Sequence, residues 1–243
     1  MLEIKFTKKM DLKGYTLIEG FPGIGWVATI GAGHLIEQLK MEEVGYVESN
    51  TFPPITVILK GKPSFPVRLY ADKKNKILVM VSEFVVPGKA VYPLTEEIIK
   101  LVKKHKLKQV MSLAGITSLT NTPNKVYGIS TNKKITKLLT DKKITPVQEG
   151  VTTGVSGILL SLCANNNING IGVLVPTMQK IPDPAAAATL VEKVSEILSL
   201  NIDIKELRKE AEKIQEKVKN MAAQVEKSKK QYEGKPPYPS IYG

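Results

Sequence analysis

Four short, mainly apolar runs, each separated from the next by enough sequence for a helix, restrict what this chain can fold into. They are Tyr15 to Glu19, Ile77 to Val81, Gln109 to Gly115 and Ile171 to Val175. None alternates polar and apolar residues as a half-solvated strand does, so each is expected to be buried on both faces. Helical patterns stand between and after them. Trp26 to Lys40 carries Val27, Ile30, Leu35, Ile36 and Leu39 as an apolar side, and Leu94 to Lys106 ends in lysines that suit a helix carboxyl end. Lys133 to Thr140 and Gly154 to Asn165 also read as helices. Asp183-Pro184 caps and opens one from Ala185 to Leu198. Weaker strands are expected at Val44 to Glu48, Ile55 to Leu59, Val67 to Tyr70 and Val126 to Ser130, with Ala71 to Lys76 turning a hairpin. This alternation predicts an α/β fold, a three-layer α/β/α sandwich over residues 1–200.

Composition narrows the function classes. Cys163 is the sole cysteine, and the two histidines, His34 and His105, are far apart in sequence, so neither a disulfide nor a metal site is expected. No cofactor is expected either. The net charge is +12, carried almost wholly by lysine, with Arg68 and Arg208 the two arginines. Bidentate recognition of phosphates and bases favours arginine, and these lysines are spread along the chain, so nucleic acid is not an expected partner. No apolar run reaches the ~18–20 residues that cross a bilayer. The opening Met1 to Lys9 lacks the apolar centre of a secretory signal. A cytoplasmic protein without membrane contact is the expectation.

Beyond residue 200 the pattern changes. Asp203 to Tyr232 contains no glycine or proline and is dense in Lys, Glu, Gln and Ala. Ile204, Leu207, Ala211, Ile214, Val218, Met221, Val225 and Tyr232 fall at alternating gaps of three and four, missing one step at Ser228. This is a heptad seam on a helix spanning 201–232. A helix with such a stripe is not stable with the stripe in water. Either it lies back on the sandwich, or the seams of several copies pack together. The narrow, strictly spaced stripe favours the second reading, with Ile204, Leu207, Ala211, Ile214, Val218, Met221 and Val225 as oligomerisation residues. Ala211, Ala222 and Ala223 leave room for more than two helices, and a homo-oligomer, a tetramer or pentamer, is expected.

Residues 233–243 form a third region. Gly234 stops the helix, and Pro236, Pro237 and Pro239 impose extended backbone. The result is a proline-rich tail with a hydrophobic tip, Ile241-Tyr242-Gly243. Ile241 suits an apolar pocket, the Tyr242 ring packs while its hydroxyl bonds, and the Gly243 carboxylate suits a lysine or a nest of amides. Several such tails on one oligomer would gain by avidity.

The tip resembles the hydrophobic-tyrosine-any motif that proteasome activators insert between α-subunits of the core particle. Leu17-Ile18-Glu19-Gly20-Phe21-Pro22-Gly23-Ile24-Gly25, Gly115-Ile116-Thr117, Gly150 to Leu160 and Ala185 to Ala188 resemble the proteasome assembly chaperone 2 family. That resemblance, over residues 10 to 200, implies a nucleoside-phosphorylase-like fold, a homo-oligomer, and binding to the proteasome α-ring in assembly or in ATP-independent activation. The docking role is carried onto Ile241, Tyr242 and Gly243 alone.

Catalytic readings are weaker. Gly23-Ile24-Gly25-Trp26-Val27-Ala28 fits the dinucleotide pattern Gly-x-Gly-x-x-Ala, with Glu48 placed for a ribose. Pro22 in the turn and the break at Pro53-Pro54 count against it. The competing reading is a tight turn that lets helix and strand pack closely. The alternative function is a nucleoside- or dinucleotide-binding enzyme using the Gly20–Gly25 loop. Gly154-Val155-Ser156-Gly157 lacks the second glycine spacing of a nucleophile elbow. Glu19, Glu83 and Glu149 each fall near a strand end, and exposed loop carboxylates are their plainer reading. No catalytic residue is assigned, and a non-enzymatic binding protein is expected.

Overall fold

The computed structural model describes residues 2–117, 125–177 and 182–213. The strands are β1 (Leu2–Phe6), β2 (Thr16–Gly20), β3 (Glu42–Ser49), β4 (Val57–Leu59), β5 (Lys62–Ser64), β6 (Val67–Asp72), β7 (Ile77–Ser82), β8 (Gln109–Thr117), β9 (Tyr127–Ser130), β10 (Thr145–Pro146) and β11 (Gly170–Thr177). The helices are α1 (Val27–Gln38), α2 (Gly88–Lys104), α3 (Lys133–Asp141), α4 (Gly154–Asn165) and α5 (Pro184–Leu198). Residues 205–213 are also helical.

Nine strands form one sheet in the order β1-β3-β6-β7-β2-β8-β11-β9-β10, and β4-β5 is a separate hairpin. The centre is parallel: β2 pairs with β7 and β8, and β8 with β11. Antiparallel pairs β6–β7, β3–β6 and β1–β3 extend one side. Helices cover both faces, as the unbroken apolar runs require. Ile18, Val79, Met111 and Val173 enter a core shared with α1, α3 and α5. Their neighbours Leu17, Leu78, Met80 and Val110 enter a second core shared with α2 and α4. The three-layer α/β/α sandwich is thus formed as expected.

Three local features depart from the sequence expectation. Strand β1 goes unrecognised because it is a half-buried edge with no flanking turn signal; it pairs with β3 from Leu2↔Ser49 to Phe6↔Gly45. The strand expected at Ile55 to Leu59 shortens to β4, in a hairpin turned by Lys60 and Gly61 at positive φ. Helix α2 starts at Gly88, well before Leu94, and holds Pro93 inside it. Proline lacks the N–H that an interior helical position donates, which is why the pattern reads as broken there. By contrast Asp183 caps α5 as expected, accepting from the Ala186 amide at 3.0 Å.

Helix α1 lies close against β2 because Gly20 has no side chain. A Cβ there would fall 2.3 Å from Ala32 Cβ and 3.1 Å from the Ala28 carbonyl oxygen. Gly33, on the same helix, faces open space. Gly20→Ala is predicted to destabilise the fold by about 1–3 kcal/mol through overpacking. Gly33→Ala is predicted to stabilise it by about 0.5–1 kcal/mol. Urea unfolding midpoints of the two variants check both; equal midpoints would remove the close-packing account.

Candidate functional site

Strand β2 ends in the turn Phe21 to Gly25, which crosses the carboxyl edge of the sheet. Gly25 has φ 63° and Trp26 φ 54°, and together they swing the chain into α1. A Cβ on Gly25 would fall 2.9 Å from the Thr177 side chain, and one on Gly115 would fall 2.2 Å from the Ile24 carbonyl oxygen. The Gly25 carbonyl accepts from the Asp183 amide at 2.9 Å, joining this turn to the start of α5. Gly25 and Gly115 therefore serve close packing, whereas Gly23, the first glycine of the motif, faces open space. Glu48, the proposed ribose partner, lies on β3, with β6 and β7 between it and β2, and pairs with Lys5. The sheet does not bring it to the glycine turn.

Glu19 occupies the next-to-last position of β2. It is not an exposed loop carboxylate but completely buried, at 0% exposure. Its Oε1 accepts from the Phe21 amide at 3.0 Å. Its Oε2 accepts from Ser112 Oγ at 2.6 Å on β8 and from Ser156 Oγ at 2.9 Å on α4. Burial raises its pKa above the ordinary carboxylate value, and the three hydrogen bonds partly oppose that rise. The three carboxylates do not converge. Glu83 is ion-paired at 2.5 Å with Arg68, whose Nε also donates to Tyr70 Oη at 2.9 Å. Glu149 is exposed ahead of α4.

Above Glu19 lies a cleft of about 460 Å3 at the carboxyl ends of β2, β8 and β11. Phe21, Ile24, Val86, Leu113, Ile116 and Leu174 supply apolar walls, and Thr152 to Ser156 close one side. Among the described residues lining it, Glu19 has the one ionisable side chain. This is where open α/β sheets place ligands. Sequence reading named Glu19, weighed Ser156 as a nucleophile alone and missed Ser112; their separations from Glu19, 137 and 93 residues, leave no local signal of the network. Cys163 stands apart in the core, its thiol pushed up to about 12 by burial. Among the described residues no cluster of three or more His, Cys, Asp or Glu is placed to hold a metal ion, and no helix is long and apolar enough to cross a membrane.

The docking residues Ile241, Tyr242 and Gly243 lie outside the described residues, as do Ile214, Val218, Met221 and Val225 of the seam. The first seam residues are described. Leu207 and Ala211 are buried, and Leu207 joins the core of α1, α3 and α5, with Ile202 and Ile204 packed against it. His34 Nε2 meets the Asp203 carbonyl oxygen at 2.6 Å, and Arg208 reaches Glu192 on α5 at 3.4 Å. The start of this helix is therefore held by its own sandwich.

The PAC2 family model matches residues 17–222. The chain belongs to the PAC2 family. A protein of Methanocaldococcus jannaschii is 35% identical over 237 residues, covering 94% of this chain and 97% of that one. The crystal structure of Pyrococcus furiosus PbaA, described as an archaeal homolog of proteasome-assembly chaperone, is similar with TM-score 0.83 and 33% identity, covering 95% of this chain and 96% of that one. Pyrococcus furiosus PbaB, described as an archaeal proteasome activator, shares the fold with TM-score 0.78 and 21% identity over 91% of this chain and 98% of its own. The PAC2 sandwich described above is thus that of PbaA. Three of the four segments in which the sequence resembles the family, 17–25, 115–117 and 150–160, contribute to the lining of the Glu19 cleft, and Ala185 to Ala188 does not.

Glu19 gives this fold a pH signature. Its folded pKa lies above the unfolded value, so its contribution to stability is full below the ordinary glutamate pKa and is lost as pH rises through the folded one. Over that window unfolding free energy is predicted to fall with pH, and Glu19→Gln is predicted to flatten the slope. Urea titrations across the acid-to-neutral range measure it; an unchanged slope in the variant would show that Glu19 binds its proton alike in the folded and unfolded chain.

Proposed function

We propose that this chain is a proteasome-binding adaptor, an assembly chaperone or ATP-independent activator, rather than an enzyme. The observation that carries this reading is the 33% identity, over nearly the whole chain, to a protein described as a homolog of proteasome-assembly chaperone. The sandwich is the body, and Ile241, Tyr242 and Gly243 are the docking tip that enters α-ring pockets of the core particle. Ile241 fills an apolar pocket, Tyr242 packs and hydrogen-bonds, and the Gly243 carboxylate meets a lysine. The proline-rich strut holds the tip away from the body at ~3.1 Å per residue.

A three-residue contact is weak singly, so the reading needs several tails on one homo-oligomer. With Leu207 packed in the core of the chain's own sandwich and Ala211 buried, contact between copies falls to Ile214, Val218, Met221 and Val225. Lys76, Lys108 and Lys134 line a second cleft at the amino edge of the sheet, and this basic end suits a salt-sensitive approach to an acidic ring.

Deleting Ile241 to Gly243 is predicted to abolish binding to the core particle while native mass spectrometry shows the oligomer intact. Retained binding after that deletion would remove the docking assignment. Val218→Asp is predicted to leave far-UV circular dichroism of the sandwich unchanged and to yield monomers that bind the core particle at least tenfold more weakly, through loss of avidity of about that size or more. An oligomer that survives Val218→Asp would place self-association elsewhere.

A further inference from the structure

We infer that the cleft at the amino edge of the sheet binds a phosphate monoester carried on an apolar body. Such a site stands apart from partner docking and does not depend on it. The cleft holds about 520 Å3, in the size range of small-molecule sites. It opens where β7, β2, β8 and β11 begin, and α3 and the end of α5 wall it. Ile77, Ile135, Leu138, Ile197 and Leu198 give it an apolar side that can cover a ring or a short alkyl body.

The lining fixes the ligand's charge. Lys76, Lys108 and Lys134 belong to it, and among the described residues no Asp or Glu does. Lys5, Lys8, Lys100 and Lys193 each pair with a glutamate, whereas these three have no carboxylate partner among the described residues. The carboxylate of the adjoining turn, Asp72, is occupied by the Lys74 amide and by Asn75. Lys134 stands in the first turn of α3, the helix end that disfavours a cation, so the helix does not account for it. Like charges around one hollow focus a positive potential and draw in an anion. The ammoniums need no fixed pose, since a flexible four-carbon stem lets each turn onto a bound oxygen. A phosphate monoester, close to doubly charged at neutral pH, uses three cations more fully than a carboxylate does.

The floor of the cleft is polar and only partly satisfied. Gln109 is 6% and Thr16 4% exposed, and both line it. Gln109 Nε2 donates to Thr16 Oγ1 at 3.2 Å, and its Oε1 has no partner among the described residues. Among those residues Thr29 Oγ1 is the one unpartnered side-chain polar atom sealed from solvent. Gln109 Oε1 is therefore open, and the cleft is the hollow that Gln109 lines. Turned over, the amide keeps its Thr16 bond, with the hydroxyl donating to Oε1, and presents Nε2 to a phosphate oxygen. A buried amide with spare hydrogen-bonding capacity beneath three unpaired lysines distinguishes this hollow from a merely solvated lysine face.

The test uses the full chain and no core particle, so its failure is distinct from a failure of partner docking. Phenyl phosphate, inorganic phosphate and benzyl alcohol are titrated by ligand-observed NMR at low ionic strength, which preserves charge interactions. Phenyl phosphate is expected to bind about tenfold more tightly than either, since inorganic phosphate lacks the apolar body and the alcohol lacks the charge. Lys76→Gln, Lys108→Gln and Lys134→Gln, all at exposed positions, are each expected to weaken phenyl phosphate about threefold or more. Lys62→Gln makes the same charge change in the β4–β5 hairpin, away from the cleft, and is expected to leave binding unchanged. A crystal soaked with phenyl phosphate is expected to show the ester in the cleft beside Gln109. Inorganic phosphate or benzyl alcohol binding as well as the ester, a Lys62→Gln effect as large as those of the cleft variants, cleft variants that bind undiminished, or an ester lodged elsewhere would each overturn the assignment.

Discussion

Strands β2, β7, β8 and β11 have helices on both faces, so any polar side chain along them must find its partner inside the protein. The observed exceptions to apolar filling obey this rule. Gln109 donates to Thr16 at 3.2 Å at the amino edge. Ser82 donates to the Phe84 carbonyl at 2.7 Å, and Thr177 to Asp183 at 2.6 Å, at the carboxyl edge. Each links a strand end to a neighbouring strand or to the loop that follows. Glu19 is the demanding case, since a carboxylate without water costs several kcal/mol unless its lone pairs are satisfied. It ties β2 to β8 and to α4, and so fixes the spacing of the strands below the cleft.

The sheet centre could be read from sequence because double burial leaves its mark on every residue of a strand. Leu17 and Ile18 face opposite layers, yet both must be apolar. The Asp183 cap is equally local, completed three residues away. Edge strand β1 carries no such mark, being half-buried with its pairing supplied by β3. The misjudged burial of Glu19 has the same origin. Its neighbours in sequence explain a strand end, whereas its partners Ser112 and Ser156 reach it only after the sheet forms and α4 docks. A site assembled from β2, β8 and α4 cannot announce itself in any one of them.

The carboxyl-terminal helix shows a different limit. Alternating gaps of three and four state that one side of a helix is covered, and do not say by what. Leu207 obeys the seam spacing and is covered by the same chain. That use of the first turns leaves the proposed self-association to later positions of the seam. The start of this helix is clamped to the sandwich by Leu207, the His34–Asp203 contact and the Arg208–Glu192 pair. Under the proposed self-association, a root that is already ordered lowers the entropy cost of bringing copies together.

Body and tail therefore pose separate physical questions. The proposed docking tip needs only reach, multiplicity and a carboxylate, and a sandwich with a purely apolar carboxyl edge would carry it equally well. Yet this sandwich buries Glu19 with no cation paired to it among the described residues, and closes it in with two serines. Removing one member alone would leave a buried polar group unsatisfied, so Glu19, Ser112 and Ser156 hold β2, β8 and α4 together as a unit.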